Sequence, residues 1–337
     1  MSRPSDSLTI RPGADGDIPT VIELMKSALG EGNVPRTQEF WHWKHRENPF
    51  GPSPMWLAFD AERLVGVRLF LRWQLNAGPA AYSAVRAVDT ATHPDYQGKG
   101  IFKRLTLKLV EEEQRAGTHL IFNTPNQKSR PGYLKMGWST VGKLAMWVRP
   151  CRPLRLLRAA LRGVEAAEDE SMPLDEAISP RSFDVAAEAG LLASDETQSR
   201  FHTHLDVRYL SWRYRAPGLR YATLSEAEAL IVFRLRRRGA LRELRLCDAV
   251  IKTPSVRSSR AFKTLVQRAI RRYEPDYVIA SLRPELAAML PFAVGGFVPA
   301  PAAGPILTVR RLALPASAPS PEKLVHWSAS IGDLELF

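Results

Sequence analysis

A short glycine-bearing loop, Gln97-Gly98-Lys99-Gly100, is the segment of the sequence best suited to chemistry. Residues 85–92 before it alternate β-branched and small side chains, which predicts a strand. After it, Ile101, Leu105 and Leu109 recur at helical spacing, which predicts a helix that starts near Gly100. Glycines let a phosphate approach the backbone, and the N–H groups that open a helix attract anions. The loop is therefore a candidate phosphate site.

The common nucleotide motifs do not fit this loop. A dinucleotide fingerprint would need glycine at position 103, where the sequence has lysine. A P-loop needs Ser or Thr directly after its lysine, but Lys99 is followed by Gly100. A turn without a ligand remains an alternative when the loop is taken alone.

The wider segment 84–142 resembles the GCN5-related N-acetyltransferase (GNAT) family. The order and spacing of its parts carry the resemblance: the strand, the loop at 97–100, a second buried strand at 120–122, and Tyr133-Leu-Lys-Met-Gly137-Trp138. The last segment is similar to the family's Tyr-x-x-x-Gly-Phe signature, and the loop to its Arg/Gln-Gly-x-Gly variant. The resemblance implies an α/β fold with a mixed, mostly antiparallel sheet that is splayed at its centre and flanked by helices. It also implies acyl-CoA binding and acyl transfer to an amine.

The resemblance implies a site for acetyl-CoA as the acyl donor. A backbone N–H of the central strand would polarise the thioester carbonyl in this family. Asn123 and Asn126 would bond the pantetheine amides or, alternatively, hold the splayed strands or cap loops. The implied donor-binding residues are Thr90, Ala91, Thr92, Gln97, Gly98, Lys99, Gly100, Ile101, Phe102, Asn123 and Asn126.

Two residues are candidates for proton transfer. Tyr133 stands at the family position of the acid that protonates the departing thiolate, with a packed aromatic as the alternative. Asp89, on the central strand, is a candidate general base for the amine; a structural ion pair, for example with Arg86, is the alternative.

The chain contains a second, altered copy of the same pattern. Residues 94–105 align without gaps with 254–265, and the segment from Tyr133 aligns with the segment from Phe292. The copies differ at the residues with a predicted chemical role. Ser258 stands in place of Gly98, Arg260 in place of Gly100 and Phe292 in place of Tyr133. The second copy is thus interpreted as a GNAT-like domain without its own catalytic apparatus.

The early segment of the first copy supplies candidates for acceptor binding. Trp43 recurs as Trp212 in the second copy, which favours a structural role for this tryptophan. The neighbouring residues without counterparts are predicted to bind the acceptor, with ordinary packing or surface roles as the alternative. These residues are Trp41, His42, His45, Glu47 and Asn48.

The basic excess is unevenly distributed along the 337 residues. There are 47 Lys and Arg against 35 Asp and Glu, a formal charge of +12. Residues 163–199 hold ten acids and one base, which is typical of a connector. Residues 149–162 predict a basic amphipathic helix, interpreted as a solvated linker or, alternatively, a membrane-surface helix. Residues 231–246 predict a hairpin with one basic face. This face is interpreted as solvated or, alternatively, as a binding surface for an acidic protein or an acidic sugar polymer; nucleic acid is the least favoured partner.

Composition argues against several classes of protein. Two cysteines, Cys151 and Cys247, have no partners at ligand spacing, so neither a disulfide framework nor a metal site is expected. No apolar run reaches the length of a membrane span, and the first residues lack a signal-like apolar stretch. A cytoplasmic location is therefore expected.

The combined prediction is a tandem GNAT enzyme that transfers an acetyl group from acetyl-CoA to a primary amine of a small molecule. The alternatives are another acyl-CoA or an acyl carrier protein as donor, a protein acceptor, or a CoA-binding module without enzymatic activity. The oligomeric state stays open. The predicted parts are a catalytic domain at 6–150, a basic helix and acidic linker at 151–196, a non-catalytic GNAT-like domain at 197–314 that shapes the acceptor cleft, and a Pro/Ser-rich tail at 315–337.

Overall fold

The computed structural model describes residues 8–30, 36–162, 169–174, 182–188, 190–192, 198–283, 286–287 and 296–334. The chain divides into two compact units. Unit 1 comprises Met1–Gly142 and Ile306–Leu324, and unit 2 comprises Lys143–Pro305 and Val325–Phe337. Each unit is therefore built from two separate stretches of sequence.

The described chain forms strands and helices with the following bounds. The strands are β1 (Thr9–Pro12), β2 (Met55–Asp60), β3 (Arg63–Ala77), β4 (Ala80–Thr92), β5 (Leu120–Asn123), β6 (Ser139–Lys143), β7 (Trp147–Pro150), β8 (Asp169–Ser171), β9 (Ala222–Glu226), β10 (Ala229–Arg238), β11 (Leu241–Ile251), β12 (Tyr277–Ala280), β13 (Val298–Pro299) and β14 (Ile306–Arg311). The helices are α1 (Ile18–Leu29), α2 (Gln38–His45), α3 (Ile101–Arg115), α4 (Arg130–Lys135), α5 (Pro153–Arg162), α6 (Ser182–Glu188), α7 (Val207–Tyr214), α8 (Val256–Tyr273) and α9 (Ile331–Leu334).

The sheet of unit 1 has the order β1-β2-β3-β4-β5-β14-β6. The β3–β4 pair forms a long antiparallel hairpin, whereas β4 and β5 run parallel. This gives the mixed, mostly antiparallel sheet that the family resemblance implies, and it confirms the predicted strand at 85–92, the helix after Gly100 and the strand at 120–122.

Helices α1 and α3 provide apolar faces that cover this sheet. Leu57, Val67 and Met25 belong to one buried cluster, while Ile101 and Leu105 of α3 pack with Val65 in another. Gly66 permits the close approach of α3, because a Cβ at this position would lie 2.4 Å from Cγ2 of Ile101. The loop before α3 is thereby held against the edge of a rigid core.

The sheet of unit 2 has the order β13-β7-β12-β11-β10-β8, with β9 also on β10. Its central part repeats unit 1: an antiparallel hairpin, β10–β11, is followed by a helix and a strand, β12, that pairs parallel to β11. Apolar residues of α8 such as Phe262, Leu265 and Ala269 share one buried cluster with this sheet. The hairpin predicted at 231–246 is confirmed, with its turn at Arg238–Leu241.

Each sheet contains a strand that is distant in sequence from the strands on either side of it. Strand β14, near the end of the chain, lies between β5 and β6, and β7 lies between β12 and β13. The unit boundaries therefore differ from the predicted ones: residues 147–150 belong to unit 2, and residues 306–324 belong to unit 1. The reason is tertiary strand pairing, which local sequence patterns do not report.

The segments predicted as linker and tail contain structure. The basic segment forms α5, which exposes Leu154, Leu157 and Leu161. Much of the acidic segment lies outside the described residues, but β8 within it pairs with β10. Near the end of the chain, Trp327 is buried against Phe201 of the same unit. No described helix is long and apolar enough to cross a membrane.

Candidate active site

The centre of the first sheet opens between β4 and β5. The two strands pair only from Ala84 to Arg86 on β4, opposite Leu120 to Phe122 on β5. Residues 87–92 of β4 continue along β3, but no described strand pairs with them on the β5 side. Apart from the Val88 carbonyl, which accepts from Arg68, backbone groups along this edge are consequently open to a ligand in extended form.

A β-bulge interrupts β4 inside this opening. Arg68 pairs with Thr90 and Leu69 pairs with Val88, so Asp89 is the extra residue. The φ angle of Asp89 is 41°, a left-handed conformation that non-glycine residues adopt infrequently. Bulges redirect side chains and strand edges near functional sites.

A buried charge cluster attaches α2 to this bulge. Oδ2 of Asp89 lies 2.6 Å from Nζ of Lys44 and 3.0 Å from Nε2 of His45. Burial alone would raise the pKa of Asp89, but the Lys44 charge and the His45 hydrogen bond outweigh it and lower the pKa below its usual value. Burial lowers the pKa of His45, so its ring is neutral at pH 7. Both ring nitrogens are engaged, since Nδ1 lies 3.0 Å from Oγ of Ser53.

This geometry favours the ion-pair alternative for Asp89 over a general base. A carboxylate with a lowered pKa is a weak base, and the charge of Asp89 is already paired with its two partners. The partners that the structure shows are Lys44 and His45. His45 is likewise occupied by Asp89 and Ser53, which leaves no nitrogen for an acceptor molecule.

The loop before α3 has the properties of an anion site. Gly98 and Gly100 have φ angles of 77° and 76°, and a Cβ on either would meet no atom within 4 Å. No side chain caps the N-terminus of α3. Its first N–H groups, at the positive end of the helix dipole, therefore face open space. Gln97, Lys99 and Lys103 are exposed around them.

The other predicted donor-binding residues divide between exposed and buried positions. Thr90 and Thr92 are half-buried along the opened edge, and the Thr90 hydroxyl lies 3.3 Å from the Val67 carbonyl oxygen. The side chains of Ala91 and Ile101 lie in the core, so these two residues can offer a ligand only their backbone. Phe102 is half-buried beside the Tyr133 ring.

The two predicted asparagines make structural contacts. Asn123 is buried, and its Oδ1 accepts a 2.7 Å hydrogen bond from the Thr308 hydroxyl of β14. Oδ1 of Asn126 accepts from the Ser129 backbone N–H at 2.9 Å, at the start of α4. Both contacts favour the alternative in which these amides cap loops and hold strands.

Tyr133 reaches a residue that sequence reasoning missed. Its ring is buried between Phe102 and Trp138, and its hydroxyl oxygen lies 2.6 Å from Nη2 of Arg68. Arg68 on β3 is 1% exposed. The available signal was a single arginine inside the apolar run Leu64–Leu71.

The predicted acceptor residues are only partly accessible. Trp41 and His45 are buried, with ring centres 4.4 Å apart and ring planes tilted by 51°. Asn48 is buried, donates to the Arg72 carbonyl and accepts from the Phe50 N–H. His42 and Glu47 are exposed at the end of α2 and remain the accessible candidates.

Comparison with known proteins agrees with this geometry. Residues 9–141 match the acetyltransferase (GNAT) domain family. No curated protein matches the sequence significantly. Within the described residues, no group of three or more His, Cys, Asp or Glu side chains is arranged to hold a metal ion.

Solved structures share the fold across both units. A GCN5-related N-acetyltransferase from Anabaena variabilis is 13% identical, with a TM-score of 0.61 over 90% of this chain and 73% of its own. A probable N-acyltransferase from Enterococcus faecalis is 12% identical, with a TM-score of 0.60 over 91% and 73%. Saccharomyces cerevisiae N-myristoyltransferase with bound myristoyl-CoA is 11% identical, with a TM-score of 0.59 over 98% and 86%. Residues 9–141 therefore form a domain of the GNAT acetyltransferase type, and the solved structures show that the fold extends over both units.

Proposed function

We propose that the protein transfers the acetyl group of acetyl-CoA to a primary amine of a small molecule, in the cytoplasm. The observation that carries the proposal is the uncapped N-terminus of α3, which opens beside the splayed edge of β4. A pyrophosphate needs several unpaired N–H donors and no Cβ in its way, and the loop at 97–100 offers both. A cytoplasmic location is supported by the two free cysteines, Cys151 and Cys247.

The donor is proposed to bind along this edge. Backbone N–H groups of residues 98–102 would hold the pyrophosphate, and the exposed side chains of Lys99 and Lys103 would approach the 3′-phosphate. The extended pantetheine would pair with the free edge of β4 at residues 90–92. Acetyl-CoA supplies an activated thioester, and a β4 backbone N–H next to the Asp89 bulge would polarise its carbonyl.

Tyr133 is proposed as the acid that protonates the departing thiolate. Its hydroxyl is held at a fixed position by Arg68 and by two aromatic neighbours. The general base is left unassigned, since the ion pair of Asp89 argues against it. Glu47 and His42 are the proposed contacts of the acceptor, because they are the exposed members of the predicted set.

Unit 2 is proposed to be non-catalytic. At the start of α8, Ser255 accepts a hydrogen bond from the backbone N–H of Ser258. The side chains of these two serines therefore cap the N-terminus of the helix. Phe292, the predicted counterpart of Tyr133, lies outside the described residues.

The test is an amine library incubated with acetyl-CoA, with free thiol release as the signal. Turnover with a small primary amine supports the proposal, and Tyr133→Phe should then lower the rate by about 10²-fold or more. An unchanged rate in this variant would contradict the assigned acid. Turnover only with longer acyl-CoA, with an acyl carrier protein or on a protein acceptor would replace the donor or acceptor class. CoA binding without transfer to any amine would favour a binding module.

A further inference from the structure

Arg68 is a buried cation without a carboxylate partner among the described residues. Its Nη2 donates to the hydroxyl oxygen of Tyr133 at 2.6 Å, and its Nη1 donates to the Val88 carbonyl at 3.2 Å. Nε has no hydrogen-bond partner in the described part of the chain. Burying a cation on neutral acceptors is unfavourable compared with an apolar residue of the same size. Stability therefore does not account for an arginine at this position.

Aromatic rings surround the guanidinium group. Its central carbon lies 5.2 Å from the ring centre of Phe70 and 5.5 Å from those of Phe102 and Tyr133. Ring faces offset part of the desolvation of a cation, and they also fix the plane of the guanidinium group. The donor nitrogen is consequently held at one place relative to the Tyr133 oxygen.

The direction of the hydrogen bond determines where the Tyr133 proton points. Arg68 carries no acceptor, so the Tyr133 oxygen must accept and its own O–H must point away from Arg68. When that proton leaves, the negative oxygen remains 2.6 Å from a positive group. A charge-assisted hydrogen bond of this kind is about twice as strong as a neutral one. Arg68 thus interacts more strongly with the deprotonated oxygen than with the hydroxyl, which is the condition for lowering a barrier.

The second unit supports a coupling between the two residues. Its hairpin has a register shift at Val232/Phe233, where the first hairpin has one at Arg68/Leu69. Valine therefore stands at the position of Arg68 in the copy whose sequence has phenylalanine for Tyr133. The arginine and the hydroxyl occur together in unit 1, and the sequence of unit 2 has an apolar residue at each of the two corresponding positions.

We propose that Arg68 is the positioning residue of Tyr133, which directs the phenolic proton to the leaving thiolate and stabilises the oxygen that remains. The inference rests on the proposed acyl transfer. In that step a C–N bond forms between the amine and the acyl carbon, and the C–S bond breaks. The amine releases one proton to solvent, the thiolate takes the Tyr133 proton, and solvent returns a proton to Tyr133 before the next turnover.

The test is a double-mutant cycle with Arg68→Met, Tyr133→Phe and the double variant. Methionine keeps an unbranched apolar chain but removes the charge and the donors. We expect each single substitution to lower kcat at least about tenfold with little change in the KM for the donor. We expect the double variant to be no slower than Tyr133→Phe, because Arg68 acts through a hydroxyl that is already absent. Arg68→Lys should restore part of the rate, since it keeps a charge near the oxygen.

Arg310→Met is the matched control. Arg310 also lies over an aromatic ring, 5.3 Å from the centre of Trp138, which packs on the Tyr133 ring. It donates to the Met136 carbonyl and not to Tyr133. This variant should change thermal stability without changing kcat. Should Arg68→Met fail to fold, Arg68→Gln replaces it in the same cycle.

Two outcomes overturn the inference separately from the proposed function. Losses that multiply in the double variant, with an active wild type, would show that Arg68 does not act through Tyr133. A change in KM alone would assign Arg68 to donor binding. A wild type that transfers no acyl group to any amine would instead remove the proposed function, and this inference with it.

Discussion

The helices α3 and α8 occupy equivalent places in the two units, but their N-termini differ. Gly98 and Gly100 precede α3 with positive φ angles, and no side chain caps the helix. Ser255 and Ser258 form a capping box at α8, in which each side chain bonds the backbone of the other. One helix leaves its N–H groups for a ligand, and the other satisfies them itself. The anion site that we propose for unit 1 thus depends on an uncapped helix end that unit 2 does not share.

The bulges of the two central hairpins show a second difference. In unit 1, a charged cluster joins the bulge residue Asp89 to Lys44 and His45 of α2. In unit 2, the extra residue of the bulge is Cys247, and Tyr214 of α7 donates to the next residue, Asp248. A helix is attached at the bulge in both units, through an ion pair in unit 1 and through a tyrosine hydrogen bond in unit 2.

Gly98→Arg should have the largest effect and tests the comparison of helix ends directly. The arginine side chain would fill the space in front of the α3 N–H groups, so CoA binding should be abolished while the fold remains. Gly117→Arg is the matched control, because Gly117 has a φ of 73° and equally open surroundings at the other end of α3. Calorimetric titration with CoA measures both variants. Unchanged affinity for Gly98→Arg, or an equal loss for Gly117→Arg, would show that the loop does not hold the donor.

Asp89→Asn tests the attachment of α2 to the bulge. Asparagine tolerates the left-handed backbone of Asp89, so the change removes mainly the charge. Removing one member of a buried ion pair costs about 3–5 kcal/mol, which chemical denaturation would register as a lower free energy of unfolding. The exposed pair of Glu23 and Lys26 gives the contrast, and Glu23→Gln should leave stability nearly unchanged. A small loss for Asp89→Asn would mean that the ion pair does not hold the bulge.

Asp248→Asn tests the residue next to the unit 2 bulge through the pH dependence of stability. Burial and the charge of Asp333 raise the pKa of Asp248 from 3.8 to about 6, while Arg283 and the Tyr214 hydrogen bond oppose this. Because the folded state holds the proton more tightly, stability is highest below pH 3.8 and falls as the pH rises to about 6. A rise of about two pKa units corresponds to roughly 3 kcal/mol. The substitution should remove this loss, and thermal melting between pH 4 and 8 measures it. An unchanged pH profile would assign the dependence to other groups.

Ser255→Ala should have the smallest effect. Losing an N-cap of this type costs about 1 kcal/mol of stability. Because we place the donor at α3, CoA affinity should not change, and thermal denaturation with calorimetry would record both quantities. A lowered CoA affinity would place an anion site in unit 2 and break the comparison.

Much of the first unit was predictable because its signals are local. The glycines at 98 and 100, the helical spacing from Ile101 to Leu109 and the alternation at 85–92 depend on near neighbours in sequence, and the structure contains each element. The hairpin of unit 2 was predictable for the same reason, since a turn at Gly239 separates two alternating runs.

The role of individual polar side chains was less predictable. Asn123 and Trp41 were proposed to contact ligands, but Asn123 bonds to the distant strand β14, and Trp41 lies in a buried cluster with α1 and strands β2 to β4. Burial of a polar group depends on what covers it, and a linear pattern does not report its cover.

The sequence by itself determined a glycine loop at the start of a helix, a tyrosine in a family signature and a second copy that lacks both. The tertiary structure decided which strands complete each sheet, where the bulge lies and what Tyr133 contacts. The reason is distance along the chain: 65 residues separate Arg68 from Tyr133, and 185 separate Asn123 from Thr308. Such contacts form only when the sheet brings its strands together, whereas a glycine loop and a helix follow from their own residues.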